Sequence, residues 1–310
     1  MPASPQNPGL LNWVLISILG VVWGSAFMSM SLALEGYSPL SVATYRVLLG
    51  AIVLVGLGRM VGQPVSKIWT QAGVSGLRYA FGLGILTVAA PFLFLTWGLQ
   101  FVPSAFAGVA MGALPVLILP LVYVFAPDEG IGPRRIIGVL MGFAGLLVLI
   151  GPNAWNFNLD RPTAFGQLAC FGAVGCYAVG SIITRRAPKM PPISFAAGTL
   201  VAGAMMLVPL ALIKEGLPHF DMSRATLALL YLALMPTGLA AVIRLSVITT
   251  AGSVFMSLTN FQVPVWAVIF GIVLLDEALP PQLFAGLALI LTGIAIAQSR
   301  ALQDLLFPKR

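Results

Sequence analysis

One arginine lies inside a long apolar run, where a charge is costly and can do chemistry. Residues 41–58 read SVATYRVLLGAIVLVGLG, and Arg46 is the charged residue among them. An ionisable residue within a membrane span is by default a functional hypothesis. A planar guanidinium can grip a carboxylate through two parallel hydrogen bonds, so Arg46 predicts an anion contact. The competing interpretation is a structural lock, in which Arg46 bonds helix-end carbonyls or pairs with Glu35 or another group on the outer side.

Polar and aromatic side chains inside apolar runs are the other candidates. The run SLTNFQVPVW contains two amides, Asn260 and Gln262, which would cost free energy facing lipid. Pro115 and Pro264 each remove a helix hydrogen bond and are the predicted kinks, which free carbonyls for a polar cavity. For any single aromatic residue, ordinary packing is the competing interpretation. The predicted pathway residues are Trp23, Arg46, Trp97, Tyr177, Thr237, Ser257, Asn260, Gln262 and Trp266, with Tyr45 and Gln100 as further lining.

Catalytic and metal chemistry has no matching pattern in the apolar runs. Hydrolysis within a membrane needs a nucleophile with a base, paired carboxylates or a metal cluster. The one histidine, His219, lies in a connector. We therefore predict no catalytic residue, no metal site, no cofactor and no built-in proton relay. The acidic residues at the ends of apolar runs are Glu35, Asp128, Glu129, Asp276 and Glu277.

The composition determines which elements position these residues. Of 310 residues, 59% are hydrophobic and 8% charged, whereas soluble domains carry about 25% charged residues. Apolar runs near the membrane-spanning length of about 20 residues recur along the chain. Because these runs are too long and uniform for barrel strands, we predict an all-α multi-pass membrane protein. Its ten predicted spans are 13–34, 40–58, 78–99, 103–125, 135–151, 163–184, 193–213, 226–248, 252–275 and 281–298.

The basic residues predict orientation rather than nucleic-acid binding. The net charge is +7, but the Lys and Arg residues are scattered over short connectors and form no basic stripe. With the N-terminus inside, the cytoplasmic side holds eleven of them and the opposite side three, so both termini are predicted to be cytoplasmic. The eleven are Arg59, Lys67, Arg78, Arg134, Arg135, Arg185, Arg186, Lys189, Arg300, Lys309 and Arg310; the three are Arg161, Lys214 and Arg224. Arg46 and Arg244 belong to neither group, and Arg244 is close enough to the cytoplasm to snorkel.

The two halves of the chain repeat one another. PVLILPLVYVFAPDEG, from Pro115, matches PVWAVIFGIVLLDEAL, from Pro264, and after a one-residue gap the two acidic pairs correspond at an offset of 148. Earlier in each half, an offset of 153 pairs Gly50 with Gly203 and Arg46 with Thr199. Five spans per unit is an odd number, so the halves are predicted to cross the membrane in opposite directions. Inverted repeats are typical of secondary transporters that bind substrate between the repeats.

These motifs resemble those of the drug/metabolite transporter superfamily, in its EamA-type ten-span branch. The resemblance rests on GVVWGSAF, ATYRVLLGA, GLQFVPSAFAGVAMGALPVL and GVLMGFAGLLVLIGP in the first half and on QVPVWAVIFGIVLLDEALPPQLFAGLALILTGIAIA in the second. It implies export or exchange of small metabolites or drugs across the bacterial inner membrane. It also makes Arg46 a family feature across varied substrates, which favours the structural interpretation of that residue. Thr199 departs from the first-half pattern, so the arginine is not symmetric.

The leading functional hypothesis is a secondary transporter, an exporter of a small organic metabolite such as an amino acid or a drug-like compound. Uptake of a vitamin-like solute such as riboflavin is the alternative, and an intramembrane enzyme or a membrane receptor fits less well. The expected organisation is a cytoplasmic tail (1–12), two five-helix repeats (13–151 and 163–298) and a second cytoplasmic tail (299–310). The expected partners are a small-molecule substrate and the lipid bilayer, without nucleic acid; a homodimer is left open.

Overall fold

The chain folds into a bundle of helices, and the described residues contain no strand. The computed structural model describes residues 9–125, 132–151, 162–216, 221–299 and 303. Several predicted features lie outside these residues: most of both tails, Asp128, Glu129, Arg161, His219, Arg300, Lys309 and Arg310. The helices are α1 Gly9–Ala33, α2 Pro39–Met60, α3 Lys67–Gly84, α4 Ala90–Gly98, α5 Ser104–Gly112, α6 Leu114–Phe125, α7 Pro133–Ile150, α8 Pro162–Arg185, α9 Pro192–Glu215, α10 Arg224–Leu232, α11 Ala240–Met256, α12 Thr259–Leu275 and α13 Pro281–Ala297.

Seven helical runs in the described residues are long and apolar enough to cross a membrane. They are Gly9–Ala33, Pro39–Met60, Lys67–Gly98, Pro133–Ile150, Pro162–Arg185, Pro192–Glu215 and Arg224–Gly252. The apolar helices α12 and α13 are shorter. The predicted fourth span, 103–125, is divided into α5 and α6 at Ala113. The predicted all-helical membrane architecture agrees with this structure, and the count of ten spans stays a prediction.

Two of the long runs are composite, because a π-helical segment interrupts each of them. The first π segment, Ile85–Ala89, joins α3 to α4, and the second, Ala233–Leu239, joins α10 to α11. They begin at residues 85 and 233, which differ by the 148 residues that also relate the repeated sequence motifs. The second segment contains Pro236, which lacks the backbone N–H that a regular helix would use there. Such π segments are rare and occur frequently at functional sites.

Glycines allow several pairs of helices to approach one another closely. Between apolar helices in a membrane, association depends on packing rather than on exclusion of water, so small residues matter. Helices α7 and α13 approach so closely that a Cβ at Gly145 would lie 2.9 Å from the carbonyl oxygen of Gly286. Helices α1 and α12 meet at Gly24, whose Cβ would lie 3.1 Å from the carbonyl oxygen of Val263. The first and second halves of the chain are therefore tightly packed against each other.

Connectors of the bundle lie at its two ends. We call one the Glu277 end, formed by connectors 34–38, 99–103 and 276–280 and by the described parts of connector 216–223. The other is the Gln63 end, formed by connectors 61–66 and 186–191 and by residues 257–258. At the Gln63 end, the side-chain oxygen of Gln63 accepts a hydrogen bond from Ile193 N at 3.1 Å, and the Gln63 carbonyl accepts one from Ser194 Oγ at 2.9 Å.

Candidate functional site

Arg46 is buried inside the bundle and touches three other elements. Its side chain is 6% exposed. Nε donates a hydrogen bond to Thr237 Oγ1 in the second π segment at 3.1 Å, and Nη1 points at Met30 Sδ in α1 at 3.4 Å. The guanidinium carbon lies 3.8 Å from the centre of the Phe92 ring in α4, which is a cation–π contact. The arginine of the first half is thus held partly by the second half.

Thr237 orients the guanidinium without neutralising it. The Thr237 hydroxyl donates its own hydrogen to the Leu232 carbonyl at 3.0 Å, so only its lone pairs face Arg46. A hydroxyl oxygen acting as an acceptor fixes the direction of Nε but carries no negative charge. The π segment contributes to this arrangement because its irregular backbone places Leu232 and Thr237, five residues apart, within side-chain bonding distance.

Gly50 makes room for this contact. It lies one helical turn after Arg46 on the same face of α2, and a Cβ built there would come 2.6 Å from Thr237 Cγ2. The equivalent position in the second half, Gly203, faces the first π segment, where its Cβ would lie 3.0 Å from Val88. Each half therefore packs a glycine of one helix against the π segment of the other half.

Substituting Gly50 tests this packing. We expect Gly50→Val to lower the free energy of unfolding by about 1–3 kcal/mol, because the added side chain overlaps Thr237 and forces it away from Arg46. The measurement is thermal unfolding of the purified protein in detergent. The matched control is Gly56→Val on the same helix, where a Cβ meets nothing within 4 Å. Equal unfolding of the two variants would contradict the proposed contact.

The charge of Arg46 has no acidic partner among the described residues. Glu35, the partner that the structural interpretation named, is exposed near the end of α1, and the described part of the chain gives Arg46 no ion pair and no bond to a helix-end carbonyl. An uncompensated charge in a low-dielectric interior is costly. Neither Glu35 nor a helix-end carbonyl is placed against Arg46 in the described part, and the choice between an anion contact and a structural lock stays a prediction.

Aromatic side chains flank the second π segment. Trp23 in α1 donates from its indole nitrogen to the Pro236 carbonyl at 3.3 Å. Tyr231 pairs with Ser25 through their hydroxyls at 2.7 Å. Tyr177 in α8 is close enough to Arg46 for an electrostatic interaction. Trp23 and Tyr177 are both half-buried. The structure thus brings three predicted residues, Trp23, Arg46 and Thr237, together at the second π segment, and a fourth, Tyr177, interacts electrostatically with Arg46.

Two of the predicted residues of α12, Gln262 and Trp266, face α1. Gly20 leaves space for the Gln262 side chain, and Gly24 leaves space for Trp266, whose ring stacks on Phe270 with centroids 5.7 Å apart. Asn260 is half-buried. Ser257 donates to Gln298 at 3.0 Å at the Gln63 end. Of the predicted kink residues, Pro115 is the second residue of α6, just after the break at Ala113, and Pro264 lies inside α12.

Trp97 lies on a different surface. Its side chain is 42% exposed and packs edge-on against Phe101 with ring centroids 5.0 Å apart. It borders an open, apolar groove of about 520 Å³ between α2, α4 and α8. The groove is lined by Pro39, Leu40, Leu93, Phe94, Trp97, Phe165, Leu168 and Ala169. Gln100 is also exposed, beside this part of the chain.

Glu277 has a role that the sequence analysis missed. Its carboxylate accepts hydrogen bonds from Ser104 N at 2.6 Å and from Ala105 N at 3.1 Å, the first two N–H groups of α5. A carboxylate at this position satisfies orphan donors and complements the helix dipole. Asp276, just before it, adopts the left-handed conformation (φ 51°). Because Gly271 has no side chain, there is room for the Glu277 carboxylate. The sequence feature that could have pointed to Glu277 is the repeated acidic pair at the ends of the fourth and ninth predicted spans.

Glu215 and Asp221 make further contacts at the Glu277 end. Ser38 and Ser41 at the start of α2 both donate to the Glu215 carboxylate at the end of α9. Thr226 shares a hydrogen bond of 2.5 Å with Tyr37 and donates to Asp221 at 2.9 Å. Hydrogen bonds from Ser223 and Thr226 hold the pKa of Asp221 below its ordinary value. All these contacts except those of Asp221 itself join the first half of the chain to the second.

Comparison with known proteins identifies the family. A sequence model of the EamA-like transporter family matches the chain twice, over residues 11–151 and 164–298. The chain belongs to the EamA-like transporter family. Together with its long apolar helices, this makes it a multi-pass membrane protein.

Relatives of this EamA-like protein carry names that agree with the assignment. "Uncharacterized transporter YoaV" of Bacillus subtilis is 25% identical, with 91% of this chain and 95% of that protein covered. "Uncharacterized inner membrane transporter YedA" of Escherichia coli K12 is 26% identical, with 94% and 91% covered. One solved crystal structure is similar with a TM-score of 0.67 at 23% identity, covering 94% of this chain and 98% of the other, and supports the fold.

Proposed function

We propose that this EamA-like protein is a secondary transporter that exports a small organic metabolite, such as an amino acid or a drug-like compound, by alternating access. The observation that carries the proposal is the buried guanidinium of Arg46, which has no acidic partner among the described residues and is held between the two halves. A protein that only needed rigidity would gain more from an apolar residue or a paired charge at this place. A site that receives a ligand has a reason to keep the charge uncompensated.

We further propose ten spans arranged as two inverted five-helix repeats, 13–151 and 163–298, in the bacterial inner membrane with both termini cytoplasmic. The two π segments, 148 residues apart, support this arrangement. The helix packing supports it too: α2 packs on α9 and α7 on α13, and the contact of α1 with α12 has its counterpart in that of α8 with α6. In this orientation the Glu277 end faces outward, and the hydrogen bonds of Ser38 and Ser41 to Glu215 join the two halves there.

Transport by reconstituted vesicles tests the proposal. Vesicles containing the protein are loaded with a mixture of amino acids, aromatic metabolites and drug-like compounds, and both compartments are followed by mass spectrometry against protein-free vesicles. We expect at least one compound to cross faster with the protein present. Entry of a flat solute such as riboflavin, which the aromatic side chains near Arg46 would accommodate, would replace export by uptake. If no compound crosses in either direction and none shifts the melting temperature, the transporter proposal is wrong.

A further inference from the structure

We propose that the Arg46 site binds the carboxylate of the transported molecule, so that the substrate of this protein is an organic acid anion. This inference rests on the proposed transport function. It reaches beyond it because it names the charged group of the substrate and the side chain that receives it.

Arg46 has more hydrogen-bond donors than the described residues use. A guanidinium has five N–H donors. Among the described residues Nε has Thr237 and Nη1 has only the thioether of Met30, a weak acceptor, while Nη2 has no hydrogen-bond partner. Arg46 as a whole keeps a small accessible surface, at 6% exposed. Two donors of Nη2 and one of Nη1 are therefore available to a pair of carboxylate oxygens.

The orientation of the guanidinium is fixed by two of its neighbours. Phe92 covers one face of the group at 3.8 Å, and Thr237 fixes one edge. The remaining edge carries Nη1 and Nη2, which is the end-on fork that matches the two oxygens of a carboxylate. Phe92 supplies apolar surface on the covered face, and the half-buried Trp23 bonds the Pro236 carbonyl next to Thr237. The ligand that fits is a singly charged carboxylate attached to an apolar or aromatic body.

A second arginine extends the positive surface towards the Gln63 end. Arg244 lies seven residues after Thr237 in the same composite helix, on the stripe formed by Thr237, Ala241, Arg244 and Ile248. The lipid-facing side of this helix is marked by the exposed Leu239, and Arg244 is about 140° around the helix from it. Arg244 is nevertheless exposed, whereas Thr237 is 9% exposed. Arg244 therefore places a second positive charge between Thr237 and the Gln63 end, which raises the positive potential on that side of Arg46.

Matched pairs of acids and amides test the inference. The probes are acetate with acetamide, benzoate with benzamide, and indole-3-acetate with indole-3-acetamide; inorganic phosphate is added as a second kind of oxyanion. The measurements are the melting temperature of the purified protein and competition with whichever compound the vesicle assay shows to be transported. We expect the acids, and the aromatic acids most strongly, to stabilise the protein and compete, and the amides to do neither. The inference is overturned if acids and amides raise the melting temperature and compete equally. It is also overturned if phosphate stabilises the protein and no carboxylate does.

Variants of Arg46 link the effect to this side chain. We expect Arg46→Gln to weaken binding of the acids about 10- to 100-fold, the loss typical of a charge-assisted hydrogen-bond pair, and Arg46→Lys to weaken it less. The matched control is Arg59→Gln, which removes an exposed arginine of the same helix and is expected to bind as the wild type does. Undiminished acid binding by Arg46→Gln overturns the inference while leaving transport intact. If Arg46→Gln does not fold, Arg46→Lys and the wild-type acid–amide comparison decide. If the wild-type protein transports none of the compounds in the vesicle assay, the proposed function is refuted instead.

Discussion

Replacing Glu277 with alanine is expected to lower the free energy of unfolding by about 2 kcal/mol. The reason is that Ser104 N and Ala105 N at the start of α5 both donate to the Glu277 carboxylate and would lose their acceptor. The next two N–H groups, of Phe106 and Ala107, are directed at the Pro103 carbonyl, which cannot serve all four. The change therefore leaves two donors at a helix end unsatisfied and removes a contact between the halves.

Two control variants distinguish the loss of the Glu277 carboxylate from the effect of substituting other residues at the same end of the bundle. Ser104→Ala removes a buried hydroxyl that has no hydrogen-bond partner, so it should be neutral or slightly stabilising. Asp276→Asn changes the neighbouring exposed acid, and asparagine tolerates the same left-handed backbone. Thermal or denaturant unfolding in detergent measures all three variants. If Glu277→Ala unfolds like the two controls, the carboxylate does not hold α5.

The sequence predicted the charge but not its surroundings. Arg46 stands out because placing a guanidinium within an apolar run costs free energy. Thr237 was a pathway candidate because it is polar within a span. Their contact could not be predicted, since the π segment shifts the helical register at Thr237 and nothing in the local pattern reports that shift. The role of Gly50 was hidden for the same reason, because it depends on a residue in the other half of the chain.

Helix boundaries show the same limit. The predicted third span began at 78, but the helical run starts at Lys67, with Gly73 in a left-handed conformation (φ 54°) between its parts. The predicted ninth span began at 252, whereas α12 begins at Thr259, after Gly252 interrupts the preceding helix. The hydropathy stays high across such glycines, although the helical backbone conformation is interrupted there. Similarly, an acid at the end of a span looks solvated until its partner is known, and Glu277 meets α5 more than 170 residues earlier in sequence.

Joining the two halves at the Glu277 end is expected to stop transport completely. Ser38→Cys and Glu215→Cys place two thiols where the start of α2 meets the end of α9. The background carries Cys170→Ala and Cys176→Ala, because both native cysteines are free. A short bifunctional methanethiosulfonate reagent can then link the pair reversibly. In alternating access this side must open once per cycle, so a link across it blocks every turnover.

The control pair lies within one half. Asp221→Cys and Ser223→Cys are both in the connector before α10, so the same reagent links them without bridging the halves. Each variant is compared with itself before crosslinking, which removes the effect of losing Glu215 or Asp221. The control is expected to transport at the same rate before and after the reaction.

Reversible crosslinking of the Ser38–Glu215 pair in vesicles, followed with a compound found to be transported, tests the central claim most directly. The account predicts that flux falls to the level of protein-free vesicles as the link forms and returns when a reductant cleaves it. A fully linked protein that carries its substrate at the unlinked rate would contradict the proposal that the two halves open and close around Arg46.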